Sequence, residues 1–436
     1  MGTNLLIQRA SWTLIDQGVV SFGNFLLNVL LARGLAEEDY GEFALFLGAI
    51  FILRNVDYSF ISYPLSLRLS LASNEERGRL LGNTVLLAAA LALVLVVIVG
   101  LGTLLLEADN IMLPACICYL CWQAQETSRR CLLADFRYRE AVPGDGIAYV
   151  GQGLLVALVA WLDAITLPSA LWMMSAAFVI GAVVHASKLR YGRPGLADAW
   201  LLACEYLSVG KWSFVSYQLV LTRVQLFPWV LAALAGTAAT ASLQAALNIA
   251  NMMNPILFGI GNAVPQVAAH AYRTGGAIGA SRATFGYILF GLGPILLICA
   301  VAVLMPYLLL RTAYGPSSPY LSVASGLQLL AVAGVLDYIA EMINKTLLGI
   351  EAGRLSSLVN VLAVAIAAVL AFALIGRWGL LGACLALLIA NLARAVGAVI
   401  AIAWVIAGAG SRVQASSGTV VSPTPVDNAL GISPKR

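Results

Sequence analysis

Long apolar stretches recur along the chain and are separated by short segments that are richer in polar residues. The stretch LLGNTVLLAAALALVLVVIVGLGTLLL, residues 80–106, contains no Asp, Glu, Lys or Arg. An apolar run of about 18 residues or more is typical of a transmembrane helix. Because the connections between such runs are short, we expect an all-α integral membrane protein without a soluble domain. The pattern predicts twelve transmembrane helices, at approximately 10–33, 41–63, 80–106, 111–133, 141–162, 167–188, 209–234, 238–262, 283–309, 323–349, 355–376 and 380–407.

An internal repeat relates the fourth predicted helix to the tenth. ETSRRCLLADFRYR (126–139) and EMINKTLLGIEAGR (341–354) share the pattern E-x3-[RK]-x-LL-[AG]-x4-R at an offset of 215 residues. A weaker repeat at an offset of 200 pairs residues 11–36 with 211–236, and so the first helix with the seventh. Both offsets connect helices that are six apart, so the two halves have the same orientation in the membrane. The sequence therefore predicts two parallel six-helix lobes around a central cavity.

The predicted domain boundaries follow from this repeat. The N-lobe spans 1–188 and the C-lobe spans 209–407. The segment 189–208 is interpreted as a cytoplasmic linker between the lobes, because charge, Gly and Pro return there. The last stretch, 408–436, is rich in Ser, Gly and Pro, and we expect it to be a mobile cytoplasmic tail.

Composition and charge agree with a membrane protein and predict its orientation. The chain is 61% hydrophobic and only 11% charged, with a formal net charge of +4. Lys and Arg are concentrated in alternate connections, which the positive-inside rule assigns to the cytoplasm together with both termini. The other connections are more acidic, for example at Glu37, Glu38 and Asp39. The positive charge therefore indicates topology, and it offers no contiguous basic face for nucleic acid.

We single out six ionisable residues within predicted helices, where burying a charge is costly and usually functional. Arg54 and Asp57 are three residues apart and could neutralise each other. Arg223 and Arg394 have no acid within a helical turn, so each requires a ligand or a partner on another helix, for which Asp337 is available. We interpret the three basic residues as candidate cavity residues and the three acidic ones as candidate ion-coupling sites: Arg54, Arg223 and Arg394, and Asp16, Asp57 and Asp337.

Two predicted helices carry uncharged polar side chains along one face. Residues three or four positions apart share a helix face. Amides bind sugar hydroxyls both as donors and as acceptors, so the two faces favour a hydrated cavity for a sugar. Hydrogen bonds between helices are the alternative interpretation. The residues are Gln17, Ser21, Asn24 and Asn28 in helix 1, and Gln244, Asn248, Asn251 and Asn254 in helix 8.

The repeated charged pairs lie at equivalent ends of helices 4 and 10. Glu126–Arg130 and Glu341–Lys345 are i,i+4 pairs with the acid first, which is the favourable order in a helix. Two interpretations stay open for them. They are either neutralised helix ends or cytoplasmic gate charges that meet their partners in only one transport state.

Catalytic and metal-binding patterns are missing from the sequence. It contains neither HExxH nor GxxxxGK[ST], so we expect no zinc protease and no ATPase activity. Cys116, Cys118 and Cys121 form a CxCxxC pattern that lacks a fourth zinc ligand nearby, and packing between helices explains it better. We therefore expect a transporter rather than an enzyme, with no cofactor and no bound metal other than a coupling ion such as H⁺ or Na⁺.

Short motifs flank the first and the tenth predicted helices. LAR-x-L (31–35) and DYG-x-F (39–43) follow the first helix, and Tyr314, Gly315 and Tyr320 precede the tenth. With twelve helices in two lobes, these motifs resemble the polysaccharide-transporter family, the Wzx-type O-antigen flippases of the MOP superfamily. The similarity extends over residues 5–407.

This resemblance implies a flippase that moves an undecaprenyl-diphosphate-linked oligosaccharide from the cytoplasmic to the outer leaflet of the bacterial inner membrane. The implied mechanism is alternating access between the lobes, in the service of lipopolysaccharide or exopolysaccharide synthesis. The implied partners are that lipid-linked oligosaccharide, membrane lipid and polysaccharide-assembly enzymes, and the protein itself is expected to be a monomer. Under this hypothesis Arg223 and Arg394 attract the diphosphate, Arg54 assists, and the amide faces contact the sugars.

Two other functions stay open at this point. A multidrug/cation antiporter of the same superfamily would use the acids embedded in the membrane. A membrane glycan ligase or polymerase has less support, because the predicted outside connections are short.

Overall fold

The computed structural model describes residues 3–105 and 108–416, and this part of the chain is almost entirely helical. Two π-helical turns, Tyr58–Ser62 and Gly146–Val150, connect α2 to α3 and α6 to α7 without a break. Each of these pairs therefore corresponds to a single predicted helix. The helices of the first half are α1 (Thr3–Gly34), α2 (Glu37–Asp57), α3 (Tyr63–Leu71), α4 (Asn74–Leu105), α5 (Asp109–Ala134), α6 (Tyr138–Asp145), α7 (Gly151–Trp161) and α8 (Leu167–Ala186).

The second half contains two very long helices, each with a bend inside it. Gly276 and Gly379, at φ of 62° and 52°, interrupt α12 and α15. Glycine adopts such left-handed backbone angles without a steric cost. Short 3₁₀ turns, Asn251–Met253 and Pro319–Val323, precede α11 and α14. The helices are α9 (Leu196–Ala235), α10 (Thr237–Ala250), α11 (Asn254–Gly261), α12 (Val264–Leu304), α13 (Pro306–Tyr314), α14 (Ala324–Gly349) and α15 (Gly353–Ser416).

Eight helical stretches of the described chain are long and apolar enough to cross a membrane. Two of them, Thr237–Leu304 and Gly353–Gly408, are long enough to hold two predicted helices each. The remaining two predicted helices, 111–133 and 209–234, lie in α5 and α9, which carry more polar residues. The structure therefore accommodates all twelve predicted segments, and the prediction of an all-α membrane protein is confirmed.

The repeat in the sequence is also a repeat in the structure. α5 and α14 are both 26 residues long, and their first and last residues differ by 215 positions. Two positions after each helix, Phe136 and Glu351 have φ of 60° and 62°. The next amide in each case bonds a carbonyl of the last turn at 2.9 Å, which is a Schellman ending. Likewise, α2 and α10 begin at Glu37 and Thr237, which are 200 positions apart.

Helices of the two halves pack mainly within their own half. α1 packs on α6 and α7, and α5 packs on α4 and α8; in the second half, α14 packs on α12 and α15, and α15 on α9. The halves meet where α2 contacts α9 and α10 and where α1 contacts α10 and α11. We name the membrane surface at which α1 begins and α8 ends the N-terminal face. The other surface, where α1 ends and α2 begins, is the opposite face.

The predicted linker and tail are more helical than the sequence indicated. α9 already begins at Leu196, so residues 196–208 are helical, and only 187–195 connect the halves. This connection is fixed to α4, because the Gly192 amide donates to the Gly78 carbonyl at 2.7 Å and the Gly195 amide to Asn83 Oδ1 at 2.9 Å. At the other end, α15 extends to Ser416, and the remaining predicted tail, 417–436, lies outside the described residues.

Candidate functional site

Two arginines from different helices share one carboxylate in the second half. Arg223 Nη2 of α9 donates to Asp337 Oδ1 at 3.0 Å, and Arg394 Nη1 of α15 donates to the same oxygen at 2.8 Å. The arginine side chains are only 7% and 2% exposed, whereas that of Asp337 is 29% exposed. The partner required for each arginine is thus a carboxylate on α14.

Further polar groups hold both guanidinium groups in place. Arg394 Nη2 donates to Glu341 Oε2 at 2.5 Å, and Arg394 Nε donates to Asn360 Oδ1 at 3.0 Å. Arg223 Nη1 donates to the side-chain oxygen of Asn391. These hydrogen bonds hold the two guanidinium groups in place at membrane depth.

Three charged residues of α14 form a line on the same face of the helix. Asp337, Glu341 and Lys345 are four residues apart, and Lys345 Nζ lies 3.6 Å from Glu341 Oε1. Their side chains are all about a quarter exposed, at 29%, 27% and 24%. Charged groups at membrane depth face a bundle interior or a water-filled cavity rather than lipid. This line of charges therefore marks a solvent-accessible surface of the second half, which we call the hydrated face, with the two arginines buried behind it.

A second charge cluster lies inside the first half and is more deeply buried. Arg129 Nη2 contacts Asp16 Oδ2 at 2.6 Å, and Arg129 Nε contacts Asp145 Oδ2 at 2.6 Å. Its Nη1 lies 3.5 Å from Glu126 Oε2. All four residues are buried. One guanidinium group thus connects carboxylates from α1, α5 and α6.

Glu126 also contacts two further cations, Arg130 and Arg54. Arg130 Nε donates to Glu126 Oε1 at 2.7 Å, and Arg54 Nη2 of α2 lies 3.2 Å from the same oxygen. Arg54 therefore pairs with Glu126 rather than with Asp57. Asp57 instead accepts hydrogen bonds from Gln123 Nε2 at 2.6 Å and from Ser62 Oγ at 3.1 Å.

The two repeated glutamates occupy equivalent positions in these clusters. Glu126 and Glu341 each contact the basic residue one turn further along their own helix, Arg130 and Lys345, and an arginine from another helix. Glu126 is buried, whereas Glu341 is partly exposed. The role of these pairs as gate charges stays a prediction.

Three of the predicted cavity residues do come together in the first half. Gln17, Asn24 and Arg54 line a cavity of about 80 Å³ between α1, α2, α5 and α8. Arg129 and Gln152 contribute further polar groups, and aromatic and aliphatic side chains complete the wall: Trp122, Tyr149, Phe178, Phe51, Met174, Val20, Leu27, Leu47 and Ile50. The cavity can therefore hold a small polar group beside the Arg54 and Arg129 guanidinium groups.

The remaining amides do not line this cavity, and one pair of them joins the two halves. Asn28 Oδ1 accepts hydrogen bonds from Tyr40 Oη and from Gln244 Nε2, both at 3.2 Å. Asn248 Nδ2 donates to Tyr314 Oη at 3.3 Å. Asn251 is exposed, at the end of α10. One amide from each predicted polar face, Asn28 and Gln244, therefore meets the other directly across the halves.

The motif residues surround this same contact at the opposite face. Tyr320 packs edge-on against both Tyr40 and Tyr314, with ring centroids 5.9 and 5.4 Å apart. Arg33, at the end of α1, donates to the carbonyls of Ala313 and Thr312 at 2.6 and 2.7 Å, which satisfies the end of α13. We call the set Asn28, Arg33, Tyr40, Gly41, Gln244, Tyr314 and Tyr320 the opposite-face seal.

Sequence reasoning missed the roles of Arg129 and Asp145. Both fall inside predicted helices, and Asp145 matches Asn360 in the repeat, where Asn360 bonds Arg394. A search for acids and bases on helices that the repeat makes equivalent could have found them. Between these two residues in the sequence, the partly exposed Arg137 donates through Nε to Glu140 Oε1 at 2.9 Å.

Comparison with known proteins places this geometry in a known fold. No family model and no curated protein matches the sequence. Among solved structures, an inward-facing multidrug resistance MATE family transporter of the MOP superfamily aligns with a TM-score of 0.71 at 16% identity, over 93% of this chain and 99% of that one. The lipid II flippase MurJ, in an inward closed conformation, aligns with a TM-score of 0.72 at 12% identity, over 96% of this chain and 94% of that one.

A third solved structure shares the fold at a lower score. A MOP superfamily transporter from Pyrococcus furiosus, described by the reverse polarity of its binding pocket, aligns with a TM-score of 0.63 at 16% identity, over 95% of this chain and 96% of that one. Likenesses at these identities establish the fold. The chain is therefore an all-α, multi-pass membrane protein with the two-lobe fold of MOP superfamily transporters.

Proposed function

We propose that this protein flips an undecaprenyl-diphosphate-linked oligosaccharide from the cytoplasmic to the outer leaflet of a bacterial inner membrane. The observation that carries the proposal is the pair Arg223 and Arg394, fixed side by side at membrane depth behind a hydrated face. In the C-lobe cluster, three basic residues face two acids, which leaves one positive charge in excess. A guanidinium pair suits the bidentate recognition of a diphosphate.

The similarity to MurJ supports the same class of substrate. MurJ is described as a lipid II flippase, and its fold covers nearly the whole of this chain. Within the same fold, the reverse pocket polarity of the P. furiosus transporter suggested a different function for that protein. Pocket charge is thus the feature to compare, and the excess positive charge of the C-lobe cluster favours an anionic ligand.

The proposed orientation puts the N-terminal face in the cytoplasm, as the distribution of Lys and Arg predicts. The opposite-face seal then closes the outer side, so the substrate enters from the cytoplasm. The TM-score of 0.71 with the inward-facing MATE transporter, against 0.62 with an outward-facing one, supports this state. Alternating access requires the seal to open when the loaded protein turns outward.

Cation-coupled drug export is the second candidate function, and the N-lobe favours it. Asp57 is buried and hydrogen-bonded to the neutral Gln123 and Ser62, and Asp16 lies in the same lobe. A carboxylate held by neutral donors, as Asp57 is, suits the binding of H⁺ or Na⁺, and the similarity to MATE transporters fits this use. Export of a cationic dye such as ethidium from cells that express the protein discriminates the two, because the flippase predicts none.

The proposal is tested by removing both arginines. Arg223→Ala with Arg394→Ala should abolish export of surface polysaccharide in cells that depend on this protein, while the protein is still inserted in the membrane. The matched control replaces two exposed C-lobe arginines, Arg311→Ala with Arg377→Ala, and should leave export intact. Normal export by the variant that lacks Arg223 and Arg394 would refute the cationic site.

A further inference from the structure

The C-lobe arginines are not free to receive a ligand in this structure. Their side chains are 7% and 2% exposed, and they donate to Asp337, Glu341, Asn360 and Asn391. The two carboxylates, in contrast, belong to the line of α14 residues that is about a quarter exposed. An anion that arrives from the hydrated face therefore meets the carboxylates before it meets the arginines.

We propose that Asp337 and Glu341 are resident counter-ions of an anion site, and that the diphosphate of the substrate replaces them on Arg223 and Arg394. This inference rests on the proposed function, because it assigns the ligand class and the exchange to the same site. The two carboxylates balance the charges of the two arginines while the site is empty. The ligand then exchanges one set of anionic oxygens for another.

The energetics of buried charges explain why an exchange is needed. A buried guanidinium that loses its only anion is strongly destabilised, because a buried charge without a partner is costly. A diphosphate supplies several charged oxygens to the same donors, so both arginines stay neutralised in the loaded state. The displaced carboxylates are already partly exposed, so water can take the place of the guanidinium groups.

The shared oxygen makes Asp337 the main competitor. Asp337 Oδ1 accepts from both arginines, at 3.0 and 2.8 Å, whereas Glu341 contacts only Arg394 and has Lys345 as a second partner. Displacing Asp337 thus frees a donor on each arginine at once. Displacing Glu341 frees one donor on Arg394 alone.

The exchange predicts in which direction substitutions of the carboxylates change the affinity for diphosphates. Replacing Asp337 by Asn keeps a hydrogen-bond acceptor but removes the negative charge that the ligand must displace. Asp337→Asn should therefore bind diphosphates at least tenfold more tightly than the wild type. Glu341→Gln should bind them a few-fold more tightly, and Asp337→Glu, which keeps the charge, should show no gain. A residue that only supports the fold would instead lose affinity on substitution.

The test measures binding of farnesyl diphosphate and of inorganic pyrophosphate by isothermal titration calorimetry, with the full chain in lipid nanodiscs. Asp198→Asn, an exposed acid at the start of α9, is the matched control and should bind as the wild type does. Arg394→Gln should lose at least tenfold. A preference for farnesyl diphosphate indicates a lipid-linked ligand, and equal binding indicates a soluble diphosphate; in either case tighter binding by Asp337→Asn supports the exchange.

Unchanged or weaker binding by Asp337→Asn, in a protein that unfolds at the wild-type temperature, would overturn the inference. If that variant does not fold, Glu341→Gln decides, and the absence of any gain refutes the exchange. Wild-type and variant proteins that both fail to bind either diphosphate refute it as well. If the wild type transports lipid-linked sugar but Asp337→Asn binds diphosphates no more tightly than the wild type, only this inference is refuted. If Asp337→Asn binds diphosphates more tightly but the wild type transports no lipid-linked sugar, only the proposed flippase function is refuted.

Discussion

Asn28 holds the opposite-face seal, and its replacement by leucine should open that seal. Its Oδ1 accepts from Tyr40 on its own lobe and from Gln244 on the other, both at 3.2 Å. Leucine has a similar volume but no acceptor. In the closed seal, Asn28→Leu leaves the Tyr40 hydroxyl and the Gln244 amide without this partner. When the lobes separate, water satisfies both groups.

The magnitude follows from the cost of an unpaired buried polar group, about 1–3 kcal/mol. We take the two unpaired groups together to destabilise the closed seal by about 2 kcal/mol. The ratio of open to closed seals then rises about 30-fold, since about 1.4 kcal/mol is a tenfold change. A seal that is open about 1% of the time in the wild type would then be open about a quarter of the time.

Distances between spin labels at Glu38 and Ser317 measure this opening. Both residues are exposed at the opposite face, one on each lobe, and the described free cysteines can be replaced beforehand. Asn28→Leu should add a population at longer distance. Gln328→Leu is the control, because it removes a hydrogen bond to the Val303 carbonyl at 2.8 Å within the C-lobe. Identical distance distributions in wild type and Asn28→Leu would refute the seal.

Three further substitutions test other parts of the account. Gly41→Ala should also separate the lobes, because a Cβ there would lie 2.0 Å from the Thr237 carbonyl oxygen; Gly18→Ala, with open space around it, should not, by the same spin-label distances. Glu126→Gln should lower stability by about 3 kcal/mol, because Arg54, Arg129 and Arg130 lose the buried carboxylate that they share, and should lower the thermal unfolding midpoint more than Glu341→Gln does at the partly exposed equivalent site. Lys345→Glu places a third acid on the hydrated line of α14 and should slow polysaccharide export; an unchanged rate would return the repeated pairs to a structural role.

The sequence predicted the helices well because both of its dominant patterns are local. Apolar runs set the twelve segments, and the repeat set the equivalence of α5 and α14. The structure adds that both helices are followed by a residue with left-handed backbone angles, Phe136 and Glu351. The segments that were hardest to bound are those with polar residues at depth, such as α9, which begins thirteen residues before the predicted helix at 209. The position of a helix end depends on residues close to it in the sequence. The burial of a polar segment depends on the helices packed against it, which come from distant parts of the chain.

The partners of the charged residues could not be predicted, because they come from distant parts of the chain. Arg54 and Asp57 are one turn apart, yet each finds its partner on α5 or in the π-helical turn. Asp337 was available as a partner for Arg223 or Arg394, and the structure places it between both. The polar faces of the first and eighth predicted helices, which lie in α1 and in α10 to α11 of the structure, were predicted to line one cavity. Instead, Gln17 and Asn24 line an N-lobe cavity, while Asn28 and Gln244 bond each other.

Translocation of a fluorescent undecaprenyl-diphosphate-linked oligosaccharide in proteoliposomes tests the central claim most directly. The labelled lipid is placed in both leaflets, and the part that a membrane-impermeant quencher cannot reach is followed in time, with and without H⁺ or Na⁺ gradients. We predict rapid exchange with the wild type, and exchange at the rate of protein-free liposomes with Arg223→Ala and Arg394→Ala combined. Wild-type protein that moves no labelled lipid under any gradient, or a double variant that moves it at the wild-type rate, would contradict the account.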